Sequence, residues 1–212
     1  MMGTPLKGLY AVTPDLSDTP ALLRRARQAL QGGVRLLQYR GKTADAACRR
    51  QQAGALLALC REWDARLIVN DDLGLALAIG ADGVHLGRED GDLAAARTAL
   101  GPHRLLGVSC YDALQRAREA QRAGADYAAF GSFFASSTKP AAVRAPLQLL
   151  REARRELELP LAAIGGITLA NAPQLIAAGA DLVAVIGDLF EAPDIAARAA
   201  AFTHLFCEKT PS

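Results

Sequence analysis

The chain has 212 residues, 51% of them hydrophobic, with 24 basic and 22 acidic residues for a formal net charge of +2. That length suits one large α/β domain spanning residues 1–212, and the apolar share supports a sizeable core. The near-neutral balance gives no electrostatic case for nucleic acid or an anionic membrane surface, no apolar run approaches the roughly 18 residues of a membrane span, and no N-terminal segment has a secretory layout.

In chain order, residues 8–12 (Gly-Leu-Tyr-Ala-Val) predict a first strand, ended by Thr13-Pro14-Asp15. Residues 20–31 space Leu22, Leu23, Ala26 and Leu30 along one helical face, and Gly32-Gly33 stops that helix. Strand 34–39 and an Ala/Leu/Arg-rich helix over 44–61 follow. The alternation continues with strand 66–70, helix 72–79, strand 82–86, helix 91–99, strand 104–109 and helix 111–123. Strand 126–131, helix 146–157, strand 160–164, helix 171–178, strand 181–186 and helix 192–206 complete eight strand–helix units.

The strands are near-continuous apolar runs, such as Leu67-Ile68-Val69, as expected when both faces of a parallel sheet are covered. Gly-Ala-Asp recurs before three of them, at 80–82, 124–126 and 179–181, which predicts a reused helix-to-strand turn. The expected fold is a single (β/α)8 TIM barrel, interrupted by a Ser/Ala/Pro-rich loop at 135–145 that is long enough to be a lid. Cys48, Cys60, Cys110 and Cys207 lack CxxC or Cys/His zinc spacing and read as reduced thiols of a cytoplasmic protein.

A parallel barrel gathers all strand C-termini on one face, so polar clusters at the strand ends converge in space. Gln38, Arg40 and Lys42 alternate after the second strand, within the cluster that also holds Tyr39 and Gly41. Extended geometry points these alternate side chains to one side, where a planar guanidinium, a compact ammonium and an amide suit phosphate oxygens. A solvated loop is the competing reading. Asn70 and Asp71 close the third strand, and Asp72 reads as a helix cap, a role also open to Asp71. Asp90 follows the fourth strand, so Asp71 and Asp90 are candidates to share one hard cation with diphosphate oxygens and water. His85 reads as a barrel-wall residue with a satisfied hydrogen bond.

Ser109 ends the fifth strand, and Ser136, Ser137, Thr138 and Lys139 follow the sixth, offering hydroxyls and a cation to a phosphate or forming an ordinary turn. Gly165-Gly166 after the seventh strand and Ile186-Gly187 after the eighth fall where barrels bind phosphate on backbone amides. Asp188 reads as the cap of the last helix.

Together these residues resemble the thiamine phosphate synthase family. The matching elements are Leu9-Tyr10-Ala11-Val12-Thr13, Gln38-x-Arg40-x-Lys42, Asn70-Asp71, and Gly83-Val84-His85-Leu86-Gly87 through Asp90. Gly107-Val108-Ser109, Phe130-Gly131 through Thr138-Lys139, and Ala163-Ile164-Gly165-Gly166-Ile167 complete a series over about residues 9–190. The resemblance implies a transferase of thiamine biosynthesis that joins hydroxymethylpyrimidine diphosphate to a thiazole phosphate, or its carboxylated form, with release of pyrophosphate. It implies that Gln38, Arg40, Lys42 and Lys139 hold the diphosphate, and that Asn70 and Ser109 contact the pyrimidine substrate. It further implies that Asp71 and Asp90 bind Mg2+, Ser136 and Thr138 address the thiazole phosphate, and amides near Gly166, Ile186 and Gly187 receive that phosphate. Partners are thus small phosphorylated molecules, with a homodimer left open. Three departures stand out: Gly187 where the family usually carries Ser, Ser136 for Thr, and Arg88 for Gln. The alternatives are a related thiazole tautomerase, a phosphosugar barrel using a lysine base, and a non-catalytic precursor sensor.

Overall fold

Each strand pairs in parallel with the next in sequence and the eighth returns to the first, closing the (β/α)8 barrel. The computed structural model describes residues 6–135 and 143–207, so Ser136, Ser137, Thr138 and Lys139 lie outside the described residues. The strands are β1 (Gly8–Val12), β2 (Leu36–Tyr39), β3 (Arg66–Asn70), β4 (Gly83–Leu86), β5 (Leu105–Tyr111), β6 (Tyr127–Gly131), β7 (Leu161–Ile164) and β8 (Leu182–Val185). Around them run α1 (Thr19–Gln31), α2 (Ala46–Glu62), α3 (Leu73–Ile79), α4 (Leu93–Leu100), α5 (Leu114–Arg122), α6 (Leu147–Glu156), α7 (Ala172–Ala177), α8 (Gly187–Phe190) and α9 (Ile195–His204).

The pleat divides the core in two. Leu9, Ala11, Leu37, Leu67, Val69 and Val84 face outward into the layer beneath the helices. Tyr10, Leu36, Ile68, Leu105, Tyr127 and Leu182 fill the barrel lumen as a separate cluster. Each such leucine, fully buried, contributes about 1.5–3 kcal/mol. Along the strands, inward positions change from apolar to polar toward the C-terminal end: Leu36 to Gln38, Ile68 to Asn70, and Leu105 to Ser109. The polar end of the lumen is therefore the mouth.

The Gly-Ala-Asp recurrence has a specific purpose at the opposite end. Asp82 accepts from the Leu67 amide at 2.7 Å, Asp126 from Leu106 at 2.7 Å and Asp181 from Leu161 at 2.8 Å. Each aspartate thus satisfies the amide at the start of the preceding strand. Arg97 and Arg154 brace the second and third copies by pairing with Asp126 and Asp181.

Among the described residues, five helices begin on an aspartate cap: Asp18, Asp45, Asp72, Asp92 and Asp194. Each such cap stabilises its helix by about 0.5–2 kcal/mol. The expectation for Asp188 is corrected here. It lies inside the short helix α8, which the sequence did not reveal, and Asp194 caps α9 through the Ala197 amide at 2.9 Å. Pro193 disfavours helical backbone at Ala192, so the last helix starts later than residue 192.

Candidate active site

A cavity of about 1080 Å3 opens at the C-terminal mouth of the barrel, lined by residues from all eight strands or the loops that follow them. Gln38, Arg40 and Lys42 reach its wall from β2 and its loop, as alternate positions of an extended chain should. Tyr39 and Gly41, read in sequence as part of the same cluster, are not at that wall. The same alternation turns Tyr39 outward, where its buried hydroxyl donates to Gln52 Oε1 at 2.8 Å. Gly41 packs against the Tyr39 phenol, leaving no room for a Cβ.

The end of β1 holds that loop in place. The Arg40 amide donates to Thr13 Oγ1 at 2.9 Å, and Thr13 is fully buried. The Lys42 amide donates to Asp15 Oδ1 at 3.1 Å, as does the Thr43 hydroxyl at 3.0 Å. The bracing role of Thr13 and Asp15 was not legible in sequence, because their contacts are with a segment about 27 residues away.

The neighbouring acids after β3 have separate roles. Asp72 caps α3, accepting from the Leu75 amide at 2.8 Å. Asp71 adopts left-handed backbone (φ 63°), a conformation that aspartate tolerates through its short polar side chain. Its amide donates to the His85 carbonyl at 2.8 Å, and its side chain lines the cavity. Asp90 also lines the cavity, and accepts from the Gly87 amide at 2.6 Å.

The Asp71 carboxyl is held above the usual range, first by partial desolvation and then by the hydrogen bond and charge of Asp90; Lys42 and Asn70 oppose this. Two acids that repel each other in this way fit a hard cation that would neutralise both. Among the described residues no group of three or more His, Cys, Asp or Glu side chains gathers to hold a metal. A site offering two carboxylates suits Mg2+, which usually retains waters and completes its octahedron with substrate phosphate oxygens.

Ser109 lines the cavity from β5, with its hydroxyl 2.8 Å from His85 Nε2. Arg116, which sequence reasoning missed, donates to the Ser109 carbonyl and to the Gly87 carbonyl, both at 2.7 Å. It ties the ends of β4 and β5 together. At the rim Arg88 stacks over the Tyr111 ring at 5.2 Å, and its amide donates to the Tyr111 hydroxyl at 3.3 Å. Cys110 is buried and burial pushes its thiol up to about 12, so it offers no proton shuttle beside Ser109.

Opposite the acids, Gly166, Ile186 and Gly187 line the cavity. Gly166 has φ 60°, and a Cβ there would strike the Ala135 carbonyl, so only glycine fits. Asn171 braces this loop by donating to the Gly166 carbonyl at 3.0 Å. Asp188 accepts from the Leu169 amide at 3.1 Å and from Arg198 at 2.7 Å, joining the β7 loop to α9. Arg198 also lines the cavity. Nothing local in sequence marks it, since it stands mid-helix among alanines.

The chain is similar to known proteins over nearly its full length. A family profile described as thiamine monophosphate synthase matches residues 9–189. A thiamine-phosphate synthase of Aromatoleum aromaticum is 62% identical over 206 residues, covering 97% of this chain and 99% of that protein. Another, from an Azoarcus species, is 56% identical over 205 residues, covering 97% and 100%. Among solved structures, a thiamine phosphate pyrophosphorylase from Pyrococcus furiosus superposes with a TM-score of 0.86 at 33% identity, covering 96% of each chain.

Proposed function

The chain belongs to the thiamine monophosphate synthase family, and from that premise we propose that it joins hydroxymethylpyrimidine diphosphate to a thiazole phosphate, giving thiamine phosphate and pyrophosphate. The observation that carries this reading is that Arg40, Lys42, Asp71 and Asp90 all line a single cavity, with the Lys42 ammonium 3.8 Å from the Asp71 carboxylate. Cations suited to a diphosphate stand beside a carboxylate pair suited to a hard metal.

Arg40 grips the diphosphate through its planar fork, and Lys42 adds a point charge. Both stabilise the negative charge that develops as the carbon–oxygen bond to pyrophosphate breaks. Asp71 and Asp90 would hold Mg2+, which when bound supplies further positive charge against the leaving group. Lys139, which follows β6 in sequence, would assist, and Ser136, Ser137 and Thr138 would meet the thiazole phosphate. Gln38 joins Arg40 and Lys42 at the diphosphate, while Asn70 and Ser109 hold the pyrimidine, whose electron-rich ring supports the cation left at its methylene carbon. Amides near Gly166, Ile186 and Gly187 receive the acceptor's phosphate, and the thiazole nitrogen attacks the carbon. The scheme uses no covalent enzyme intermediate and no general base. Four free cysteines support placing the enzyme in the reducing cytoplasm.

Purified protein given both phosphorylated substrates and Mg2+ should release pyrophosphate in step with thiamine phosphate. Turnover should fail with Asp71→Ala and on chelation of the metal. Pyrophosphate release that persists without the thiazole substrate at the same rate would argue against the synthase reading.

A further inference from the structure

The turn that carries Asp90 is held by side chains and not by backbone pairing. Among the described residues, no backbone-to-backbone hydrogen bond involves positions 87 to 91. Three side chains bind its backbone instead. Asp90 Oδ2 accepts from the Gly87 amide at 2.6 Å, which folds the carboxylate back over the start of its own turn. The Gly87 carbonyl accepts from Arg116 at 2.7 Å, and the Arg88 amide donates to the Tyr111 hydroxyl at 3.3 Å. A Cβ on Gly87 would lie 2.8 Å from Asp90 Oδ2 and 3.2 Å from the Tyr111 hydroxyl, so carboxylate and phenol converge over one bare backbone position.

The two outside supports come from the end of β5 and the helix that follows it. Arg116, on α5, spans both strand ends with one guanidinium: Nε donates to the Ser109 carbonyl at 2.7 Å while Nη2 reaches Gly87. Tyr111 arrives by irregular backbone. The ladder between β5 and β6 shifts register between Ser109 and Tyr111, and Tyr111 has φ 55°, a left-handed conformation unfavourable for a bulky residue. Strain of this kind persists only where the surroundings enforce it, and here it brings a phenol onto the Asp90 turn. Asp90 and Asp71 line one cavity and interact through a hydrogen bond and charge, so the shape of this turn sets how the two acids face each other. Mg2+ demands near-ideal octahedral geometry and tolerates little displacement of either acid.

We propose that Arg116 and Tyr111 are positioning residues of the metal site, acting on the ion only through Asp90, whose carboxylate they fix at the spacing from Asp71 that a hard divalent cation needs. The inference rests on the reading of Asp71 and Asp90 as the acids that hold Mg2+. Charge-assisted donation from Arg116 at 2.7 Å is the stronger support, and the 3.3 Å bond to Tyr111 the weaker.

The test measures binding of Mn2+, which favours the same oxygen ligands as Mg2+, by the loss of its free electron paramagnetic resonance signal. Wild type is compared with Tyr111→Phe, which keeps the ring on which Arg88 stacks, and with Arg116→Lys and Arg116→Met. The dissociation constant should rise about tenfold or more in Arg116→Met, by less in Arg116→Lys, and about threefold in Tyr111→Phe. Raising Mg2+ should return kcat for pyrophosphate release to within about threefold of wild type, with KM for the thiazole phosphate within about twofold. Folded variants that bind Mn2+ as wild type does would overturn the inference, and so would lost turnover that saturating metal leaves unrepaired. If Arg116→Met does not fold, the two conservative variants carry the same test. A wild type that binds no Mn2+ at millimolar concentration would remove the metal role of the two acids and the inference with it. A protein that shows the expected shifts in metal affinity but releases no pyrophosphate as wild type would instead remove the synthase reading alone.

Discussion

The Lys42 ammonium lies 3.8 Å from the Asp71 carboxylate, so the loops after two paired strands meet with opposite charge at the cavity wall. This attraction is outweighed. Desolvation and Asp90 still raise the Asp71 pKa, which means the folded chain binds that proton more tightly than the unfolded chain. Without metal, the associated stability is present at low pH and is lost as pH rises through the raised value. Asp71→Asn should therefore raise the unfolding temperature of the metal-free protein at neutral pH, with a smaller gain near pH 4. The same change should abolish the stabilisation that added Mg2+ gives to wild type. Thermal unfolding with and without Mg2+ at the two pH values checks both signs. A metal-free variant less stable than wild type would show that Lys42 dominates after all.

Lys42→Met removes a half-exposed cation but keeps the backbone amide that Asp15 accepts from, so the loop should hold its shape. Pyrophosphate release at saturating substrate should fall by about 100-fold or more, in line with the loss of one group that meets developing charge. The fall should appear in kcat, and the unfolding temperature should change little.

Gly187 stands where the sequence resemblance leads one to expect serine. A Cβ at this position would come no closer than 3.6 Å to Glu191, an ordinary contact. Gly187→Ser should therefore fold normally and offer one more hydroxyl to the acceptor's phosphate. KM for the thiazole phosphate should drop by about two- to tenfold at unchanged kcat, the worth of one typical hydrogen bond. Steady-state kinetics with the thiazole substrate varied would show it. A rise in KM would mean that the phosphate does not rest at this end of the cavity.

Asp126 works at the other end of the barrel, accepting from the Leu106 amide and from Arg97. Asp126→Ala should cost about 1–3 kcal/mol of stability, because the strand amide loses its partner. Activity below the unfolding transition should stay within about threefold of wild type. Denaturant melts and pyrophosphate assays on one preparation separate the two effects.

Gly166→Ala tests the acceptor end by strain. With φ at 60° and the Ala135 carbonyl in the way, a methyl group must displace either its own loop or the segment after β6. Stability should fall by more than about 1 kcal/mol, and KM for the thiazole phosphate should rise while KM for the pyrimidine substrate holds.

The strand–helix alternation was legible because apolar runs and capping aspartates are local signals, readable within a window of a dozen residues. Gln38, Arg40 and Lys42 could likewise be assigned to one side by the two-residue period of extended chain. That same period turns the Tyr39 side chain the other way, and the structure shows it bonded to Gln52 on α2. Helix α8 escaped notice because four residues are too few to show a helical period. The Gly-Ala-Asp repeats announced a reused turn, but the strand amides they satisfy lie 15 to 20 residues upstream.

By itself, the sequence determined the eight-fold alternation, the covered parallel sheet and the strand ends where chemistry belongs, since each follows from periodicity and backbone preference along the chain. Only closure of the barrel decided which of those ends touch. Asp71 beside Lys42, Asp15 beneath the Lys42 loop, and Arg116 reaching back to Gly87 all join residues far apart in the chain. Such contacts depend on how eight strands pack around one lumen, and no local pattern encodes that.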